Sequence, residues 1–500
     1  MTECIVPGVS ISIMEKTKFT AVVLAAGMGT RMKSSLPKVL HKLGSRSLVE
    51  HVVRKIAALS PENIIVITGH GGDLVEDELR KKVPEAFAAS DGSEFPQISF
   101  VRQQLLKGSG RAVQEAMAEI EKHENAVILC GDAPMFRTET VAKMAAFFNE
   151  SGADCVVMTA DLENPAAYGR IRRGNDGLIQ SIVEADGAPA EILAIREINS
   201  GTYFFRTAAL KKALANLQPK GSKGEFYLTD AVENILAAGG KAAAYKIADS
   251  DEITGINSRE GLAEAYRMLL NRKNAELMAN GVTIVDPLNT YIDEEAQIGQ
   301  DTVIYPGVFI RGNTVIGKNC QIGPGGIIED CVINDNSTVL YSCILEKSKV
   351  HSFAQIGPMA HLRAMSEVCE YAQVGNYAEV KKSVIGRGSK MHHHSYIGDT
   401  VMGEKVNIGA GTITCNYDGV HKNRTVIGDG AFIGSNTNLV APVELGAGAY
   451  TGAGSTITKE VPAGTLGIAR ARQVVITRKI AGQKKESNSQ DKPESGKAEK

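Results

Sequence analysis

No run of about 18 consecutive apolar residues occurs in this 500-residue sequence, which removes a membrane-spanning helix from consideration. No excess of charge exists either: 55 Lys and Arg stand against 57 Asp and Glu, a formal net charge of -2. No overall field therefore recruits nucleic acid or a membrane surface. Residues 1–16 lack a basic segment followed by a long apolar core, so they do not read as a secretory signal. They read as an N-terminal extension, with Met1 to Ile13 expected to be dispensable and Met14 a possible start. The eight cysteines form no CxxC pair, and several sit inside apolar runs. That usage fits reduced, buried thiols in a cytoplasmic protein rather than a disulfide framework. Length alone implies more than one domain.

The sequence is organised around Leu24-Ala25-Ala26-Gly27-Met28-Gly29-Thr30-Arg31, closed by Leu36-Pro37-Lys38. Thr20 to Leu24 is short, apolar and β-branched, which predicts a buried strand. Gly27 and Gly29 then allow φ > 0 and close approach of the backbone to a ligand. Backbone N–H groups in such a loop can face phosphate oxygens, and Arg31 and Lys38 add two cations suited to a triphosphate. Two familiar phosphate motifs do not fit. The Gly-Lys-Ser/Thr ending of a Walker A loop is absent, and Met32 stands where a dinucleotide fingerprint needs glycine. The whole pattern resembles the signature loop of sugar-nucleotide pyrophosphorylases.

Beyond the loop, Leu48, Val52, Ile56 and Leu59 share a helical face, and Ile64 to Thr68, Ile98 to Val101 and Ala126 to Cys130 read as strands. A helix at Ser109 to Ile120 lies between the last two. Strand–helix alternation predicts an α/β domain with a mostly parallel, Rossmann-like sheet, whose ligands sit at the carboxyl ends of strands. Asp132 follows such an end, where a carboxylate can hold a divalent cation or cap a turn. Gln103 could pair with a base edge, and Gly108-Ser109-Gly110 offers a flat backbone for a base to lie against. Standing alone, Gln103 is more often a solvated side chain. Tyr168-Gly169-Arg170-Ile171, Val183-Glu184 and Ile198-Asn199-Ser200-Gly201 supply polar groups suited to sugar hydroxyls and an acetamido group. Glu225 to Asp230 opens a helix, and Gly255-Ile256-Asn257 ends the domain.

Residues 258–280 carry a helical stripe of Leu262, Tyr266, Leu269, Leu270 and Leu277, stopped by Gly281. This predicts a linker helix, either bridging two domains or packed on the first. From Thr283 the pattern changes to an aliphatic residue every six positions, as at Ile316, Ile322 and Ile328, with glycine following the first two. Ile427-Gly428 and Ile433-Gly434 keep the beat. That is the hexapeptide repeat of a left-handed parallel β-helix, with each aliphatic stacked on its copy 18 residues away. Chains of this class usually trimerise, so a homotrimer is expected. Arg363, Lys381-Lys382 and Lys390-Met391-His392-His393-His394-Ser395-Tyr396 interrupt the beat, and Gly409 to Asp418 reads as a loop or arm. Alternation along a strand sends His392 and His394 to one face and His393 to the other. One strand therefore cannot bring all three to one metal, though a trimer could combine histidines from different subunits.

Two series of motifs carry a closer resemblance. GxGTRM, LPK, GSG, GDAP, YGRI, VE, INSG, EFYLTD and GIN resemble bacterial N-acetylglucosamine-1-phosphate uridylyltransferases. VGNYAEVKKSVIG, KMHHHSYIGD and IGAGTITCNYDG resemble the glucosamine-1-phosphate N-acetyltransferases that follow them in one chain. The resemblance runs end to end, and implies a bifunctional enzyme of UDP-N-acetylglucosamine synthesis using Mg²⁺, UTP and acetyl-CoA. It implies that Arg31 and Lys38 bind phosphates and are catalytic, and that Leu24 and Gly27 belong to the UTP and sugar site. Gln103, Gly108 and Ser109 would hold uridine, Asp132 and Asn257 Mg²⁺, and Gly169, Glu184 and Asn199 the sugar side. In the second half it implies Arg363, Lys381, Tyr396, Asn407 and Lys422 on glucosamine phosphate. His393 would be the general base, oriented by Glu379. Ala410, Asn416, Tyr417, Ser435, Ala453 and Arg470 would line the acetyl-CoA side. Met28, Cys130 and Ala364 depart from the family's usual Lys, Tyr and Pro, and His392 and His394 are unusual neighbours.

The implied domains are an extension at 1–16, a uridylyltransferase at 17–257, the linker helix at 258–280, a β-helix acetyltransferase at 281–478 and a disordered tail at 479–500. The chemistry is coherent beside the analogy. Glucosamine's ammonium must lose a proton before its nitrogen attacks a thioester, and imidazole is the usual acceptor near neutral pH. The oxyanion formed needs an N–H donor, which the Ala410 region offers. Small-molecule substrates only are expected, with no nucleic acid or membrane partner. An alternative is a single-activity sugar-1-phosphate nucleotidyltransferase with a structural β-helix.

Overall fold

The computed structural model describes residues 17–27, 29–87, 95–220 and 224–476. The extension at 1–16, Met28 and the tail at 479–500 lie outside the described residues. The chain divides into two compact units, Met1–Met365 and Ser366–Lys500. The boundary falls inside the hexapeptide region, because the linker helix and the first coils pack on the α/β domain.

In the first unit the strand Thr20–Ala25 lies at the centre of a sheet, paired in parallel with Asn63–Thr68 on one side and Asn125–Cys130 on the other. Ile98–Arg102 extends the parallel half. The other half is mixed: Glu197–Arg206 runs antiparallel to both Asn125–Cys130 and Cys155–Asp161, and Ala242–Lys246 forms the far edge. The expected parallel alternation fails there for a topological reason. Between Cys155–Asp161 and Glu197–Arg206 the chain makes a hairpin, Arg170–Arg173 with Ile179–Val183, and no crossover helix long enough to return it in parallel. Apolar residues from both faces form two cores, one holding Val23, Ile64 and Phe148, the other Val22, Ile65 and Phe205. Leu48, Val52 and Ile56 are buried on the helix Leu48–Ala57, as their spacing predicts.

The linker helix spans Arg259–Ala279, with Ser258 Oγ accepting from the Gly261 N–H and Gly281 (φ 89°) ending it. Ala265 and Leu269 pack with Leu43, Leu48, Met135 and Ile256 of the α/β domain. Asn274, 1% exposed, donates to the Pro287 and Thr290 carbonyls of the first coil. The helix is thus packed on the first domain and also carries the start of the β-helix.

A partly buried charge cluster joins the same parts. His51, 4% exposed, faces Glu294 through Nδ1 at 3.4 Å and the Leu43 carbonyl through Nε2 at 2.8 Å. Lys55 adds a 3.1 Å contact to Glu294, and Arg46 pairs with Glu295. Burial pushes the Glu294 carboxyl up, but the His51 and Lys55 bonds and charges outweigh it and hold it down to about 2. A carboxyl lowered on folding contributes stability above its ordinary range and loses it as pH falls toward that value. The shift corresponds to about 3 kcal/mol. Glu294→Gln should therefore lower the urea midpoint of the first unit at pH 7, by a margin that shrinks at pH 4. Equal gaps at both pH values would remove this carboxylate from the account.

In the coils, short strands stack in parallel with aliphatic residues inward: Ile304 lies under Ile322, and Ile322 under Val339. In the second unit the series Val374, Met391, Ile408 and Ile433 repeats this arrangement. The expected 18-residue step holds from Ile310 to Ile328 but becomes 17 from Ile328 to Leu345 and from Val380 to Ile397. One corner has lost a residue, and the tighter turn is made by Asp330, Lys347, Lys382 and Asp399 at φ 50°, 44°, 46° and 49°. From Ile408 to Ile433 the step lengthens, because the arm containing Tyr417 and Lys422 is inserted there.

Candidate functional site

The strand Thr20–Ala25 delivers the glycine loop to the carboxyl edge of the sheet. Only Gly29 takes the left-handed conformation expected of both glycines, at φ 61°, and a Cβ there would lie 2.5 Å from Lys38 Cβ. A Cβ at Gly27 would meet no protein atom within 4 Å. Gly27 is therefore open to a ligand rather than conformationally forced. Pro37 leads into the short turn Lys38–Leu40, and the Lys38 ammonium reaches both the Asp132 carboxylate and Asn257 Oδ1, the latter at 3.0 Å. Asp132 follows the strand Asn125–Cys130, and its carbonyl accepts from the Ile256 N–H at 2.8 Å, which brings Asn257 alongside. A carboxylate and an amide oxygen from distant segments thus already surround one cation. Arg31 is exposed on the turn Thr30–Met32.

A cleft of about 490 Å³ is lined by Leu24, Gly27, Lys38, Gln103, Gly108 and Ser109, expected on the UTP side, and by Asp132, expected to hold Mg²⁺. Gln103 is buried, not solvated, at 6% exposure. Its Nε2 donates to the Leu105 and Gly108 carbonyls at 2.8 and 3.3 Å, which fixes the amide orientation and leaves Oε1 as an acceptor. Gly108 (φ 92°) has no room for a side chain, since a Cβ would sit 2.5 Å from the Phe226 carbonyl. Ser109 Oγ accepts from the Leu228 N–H at 3.2 Å, so the hydroxyl also holds the Glu225–Asp230 segment in place. Ala26, Thr30, Cys130 and Glu225 line the same cleft and were not anticipated there. From the sequence, Glu225 opens a helix and the EFYLTD motif, with no place of its own in the nucleotide site. Burial and the nearby Asp132 charge, opposed by Lys38, push the Cys130 thiol up to about 12, so it stays protonated.

Gly169, Glu184 and Asn199 form a second group. The Asn199 N–H donates to the Gly169 carbonyl at 2.9 Å, and Glu184 Oε2 lies 3.6 Å from where a Gly169 Cβ would be. Glu184 accepts from Thr229 Oγ1 at 3.0 Å. Its carboxyl is raised by burial, with the Thr229 bond opposing and the Asp230 charge adding. The Cys130 thiol points to the Gly201 carbonyl at 3.7 Å, which ties this group to the cleft.

In the second unit, strand register collects the other candidates. His393 ends the strand Lys390–His393, in register with Asn376 on the preceding coil. Continuing the register of Met391 with Ile408 places Ala410 beside His393, and that of Ile408 with Ile433 and Phe432 with Tyr450 adds Ser435 and Ala453. The general-base candidate and three acetyl-CoA-side candidates thus share one ladder, and Arg470 donates to the Ala453 carbonyl at 2.7 Å. Asn376 is a member that sequence inspection missed, because only the register shows it. Glu379 and Lys381 pair with Tyr396 and Gly398. Asn407 lies between Lys390 and Phe432. Asn416 Nδ2 donates to Asp399 at 2.5 Å and lies 3.5 Å from the Tyr396 hydroxyl. Tyr417 bridges to Lys422 within the arm. Arg363 belongs to the first unit, on the strand His361–Arg363. The three histidines are all exposed, and the strand ends before His394 (φ 44°), so the expected two-face alternation does not extend through it.

A nucleotidyltransferase α/β fold with a phosphate-type glycine loop, followed by a hexapeptide β-helix, defines a two-part transferase. Residues 21–225 match the MobA-like NTP transferase domain, residues 287–360 the GMPPB C-terminal domain, and residues 424–459 the bacterial transferase hexapeptide of six repeats. The sequence is 45% identical over 455 residues to "Bifunctional protein GlmU" of Geobacillus thermodenitrificans, covering 91% of this chain and 96% of that one. It is 45% identical over 459 residues to the protein of that name from Heliobacterium modesticaldum, covering 92% and 97%. For the Listeria monocytogenes protein the figures are 44% over 458 residues, covering 91% and 97%. The chain belongs to the bifunctional GlmU family and is a transferase with a nucleotidyltransferase half and a hexapeptide half.

Proposed function

We propose that this chain makes UDP-N-acetylglucosamine in two steps. Residues 281–478 transfer an acetyl group from acetyl-CoA to glucosamine-1-phosphate, and residues 17–257 transfer uridylyl from UTP to the resulting N-acetylglucosamine-1-phosphate. The observation that carries the second step is the convergence of Lys38, Asp132 and Asn257 at the cleft beside Gly27. A carboxylate and an amide oxygen are hard donors suited to Mg²⁺, and their arrangement around the Lys38 ammonium supports the reading. Magnesium bound at Asp132 and Asn257 would neutralise phosphate charge. Lys38 and Arg31 hold phosphate oxygens, Gln103 Oε1 accepts the uracil N–H, and Gly108 lets the base lie flat. Glu184, Asn199 and Gly169 orient the sugar phosphate. A phosphate oxygen of the sugar forms a bond to the α-phosphorus as the bond to the β-phosphate breaks and pyrophosphate leaves.

In the other half, His393 removes a proton from the glucosamine ammonium, and the freed amine attacks the thioester carbonyl. A backbone N–H near Ala410 stabilises the oxyanion, which collapses to the amide with release of CoA. Arg363, Lys381, Tyr396, Asn407 and Lys422 hold the sugar phosphate, and Asn416, Tyr417, Ser435, Ala453 and Arg470 the acetyl-CoA. We infer a cytoplasmic homotrimer assembled through the β-helix. One coupled assay tests the reading: glucosamine-1-phosphate, acetyl-CoA, UTP and Mg²⁺ should yield CoA, pyrophosphate and the UDP-sugar. Pyrophosphate release only when N-acetylglucosamine-1-phosphate is supplied would leave a single-activity nucleotidyltransferase.

A further inference from the structure

We propose that Tyr203 is a positioning residue for uridylyl transfer: its phenol oxygen holds the Asn199 carboxamide in an orientation that leaves one amide N–H for the sugar phosphate. The role rests on the placement of Asn199 at the sugar side. The strand Glu197–Arg206 is interrupted where its register against Cys155–Asp161 shifts between Asn199 and Tyr203. Opposite the segment from Asn199 to Tyr203 the neighbouring strand supplies only Thr159 to Val157, so the extra residues bulge. Gly201 takes φ 80° within the bulge, and Ser200 Oγ accepts from the Thr202 N–H at 3.1 Å. This folding-back brings the Asn199 and Tyr203 side chains together.

The orientation of the amide follows from what each neighbour can do. The Gly201 N–H can only donate, and the Asn199 side-chain atom 3.1 Å from it must therefore be the oxygen. The other end is then the amide nitrogen, 2.7 Å from the Tyr203 hydroxyl, and the phenol oxygen must accept. Among the described residues, the second N–H of Asn199 has no hydrogen-bond acceptor. Tyr203 is 3% exposed, with its ring stacked on Phe205 at 5.6 Å, so the phenol is held by packing and cannot swing away. Burial, opposed by the Asn199 bond and reinforced by the nearby Glu184 carboxylate, keeps it protonated. Without the hydroxyl, Asn199 Nδ2 loses its partner inside the protein, and substrate binding must order an amide that is now free to turn.

Tyr203→Phe keeps the ring packing and removes only the oxygen. It should raise the KM for N-acetylglucosamine-1-phosphate about tenfold, leaving the KM for UTP and kcat nearly unchanged. Acetyl transfer by the same preparation should be unaffected, and the unchanged kcat and KM for UTP serve as the folding control for the half that carries Tyr203. In an Asn199→Ala background the second change should add nothing to the sugar-phosphate KM. A Tyr203→Phe protein with a lowered melting temperature but an unchanged sugar-phosphate KM would overturn the role, as would effects of the two substitutions that simply add. An unchanged sugar-phosphate KM in Asn199→Ala alone would instead overturn the sugar-side placement of Asn199, and the role of Tyr203 with it.

Discussion

Asp132→Ala should lower uridylyl transfer by about a hundred- to a thousandfold while acetyl transfer stays near wild type. The expected loss is large because Asp132 supplies the one full negative charge at the convergence of Lys38 and Asn257. Removing it takes away the proposed magnesium donor and leaves the Lys38 ammonium, among the described residues, with the neutral Asn257 amide oxygen. The backbone should not move, since the Asp132 carbonyl still accepts from Ile256 and the preceding strand is held on both sides. Asp132→Asn separates the two contributions: it keeps an oxygen donor but not the charge. Its activity should recover in part at raised Mg²⁺, whereas Asp132→Ala should not. Pyrophosphate release measured across a magnesium titration checks both. An Asp132→Ala enzyme with normal turnover and normal magnesium dependence would remove this carboxylate from the site.

The residues that made the site legible in the sequence are those whose role is local. Gly29 before Lys38, Gly108 beneath Phe226 and Gly281 after the linker helix are glycines for reasons set by their own backbone or a close approach, and short motifs record such needs. Gln103 and Tyr203 show the limit. Whether an amide is solvated or locked to two carbonyls depends on a loop folding over it, and a tyrosine inside an apolar strand gives no sign that a bulge turns it toward Asn199. Glu225 reaches the cleft only because Ser109 and Lys107 hold its segment there through Leu228 and Phe226. The same distinction holds in the coils. The inward aliphatic beat is readable because every copy meets the same environment. The 17-residue step is not, because it depends on Asp330, Lys347, Lys382 and Asp399 accepting a left-handed backbone that side-chain-bearing residues rarely adopt. The antiparallel course of Glu197–Arg206 was hidden for a third reason: strand direction is set by the connection, and the hairpin before it resembles irregular sequence.

His393→Ala should reduce acetyl transfer by about two to four orders of magnitude and leave uridylyl transfer unchanged, the mirror image of the Asp132 variant. Among the described residues the imidazole has a ring contact with the exposed His392 and takes no part in the inward packing of the coil. The inward position of that strand is filled by Met391, and the His393 carbonyl is held by the Gly411 N–H and by Ser395 Oγ at 3.3 and 2.9 Å. Loss of activity with an intact melting profile would therefore report chemistry rather than unfolding. His392 and His394 provide the control. Burial, with the neighbouring His393 and Lys390 charges adding, lowers the His392 pKa, and its register partners are Gly375 and Gly409 rather than Ala410, Ser435 and Ala453. His394 stands beyond the strand end, in the left-handed corner. Alanine at either position should leave CoA release largely intact. If His392→Ala or His394→Ala proved as damaging as His393→Ala, the proton acceptor would be a property of the exposed cluster and not of the ladder position shared with Ala410, Ser435 and Ala453. The ladder predicts a single essential imidazole, because of the three histidines only His393 stands in register with Ala410, Ser435 and Ala453, the positions proposed to face acetyl-CoA.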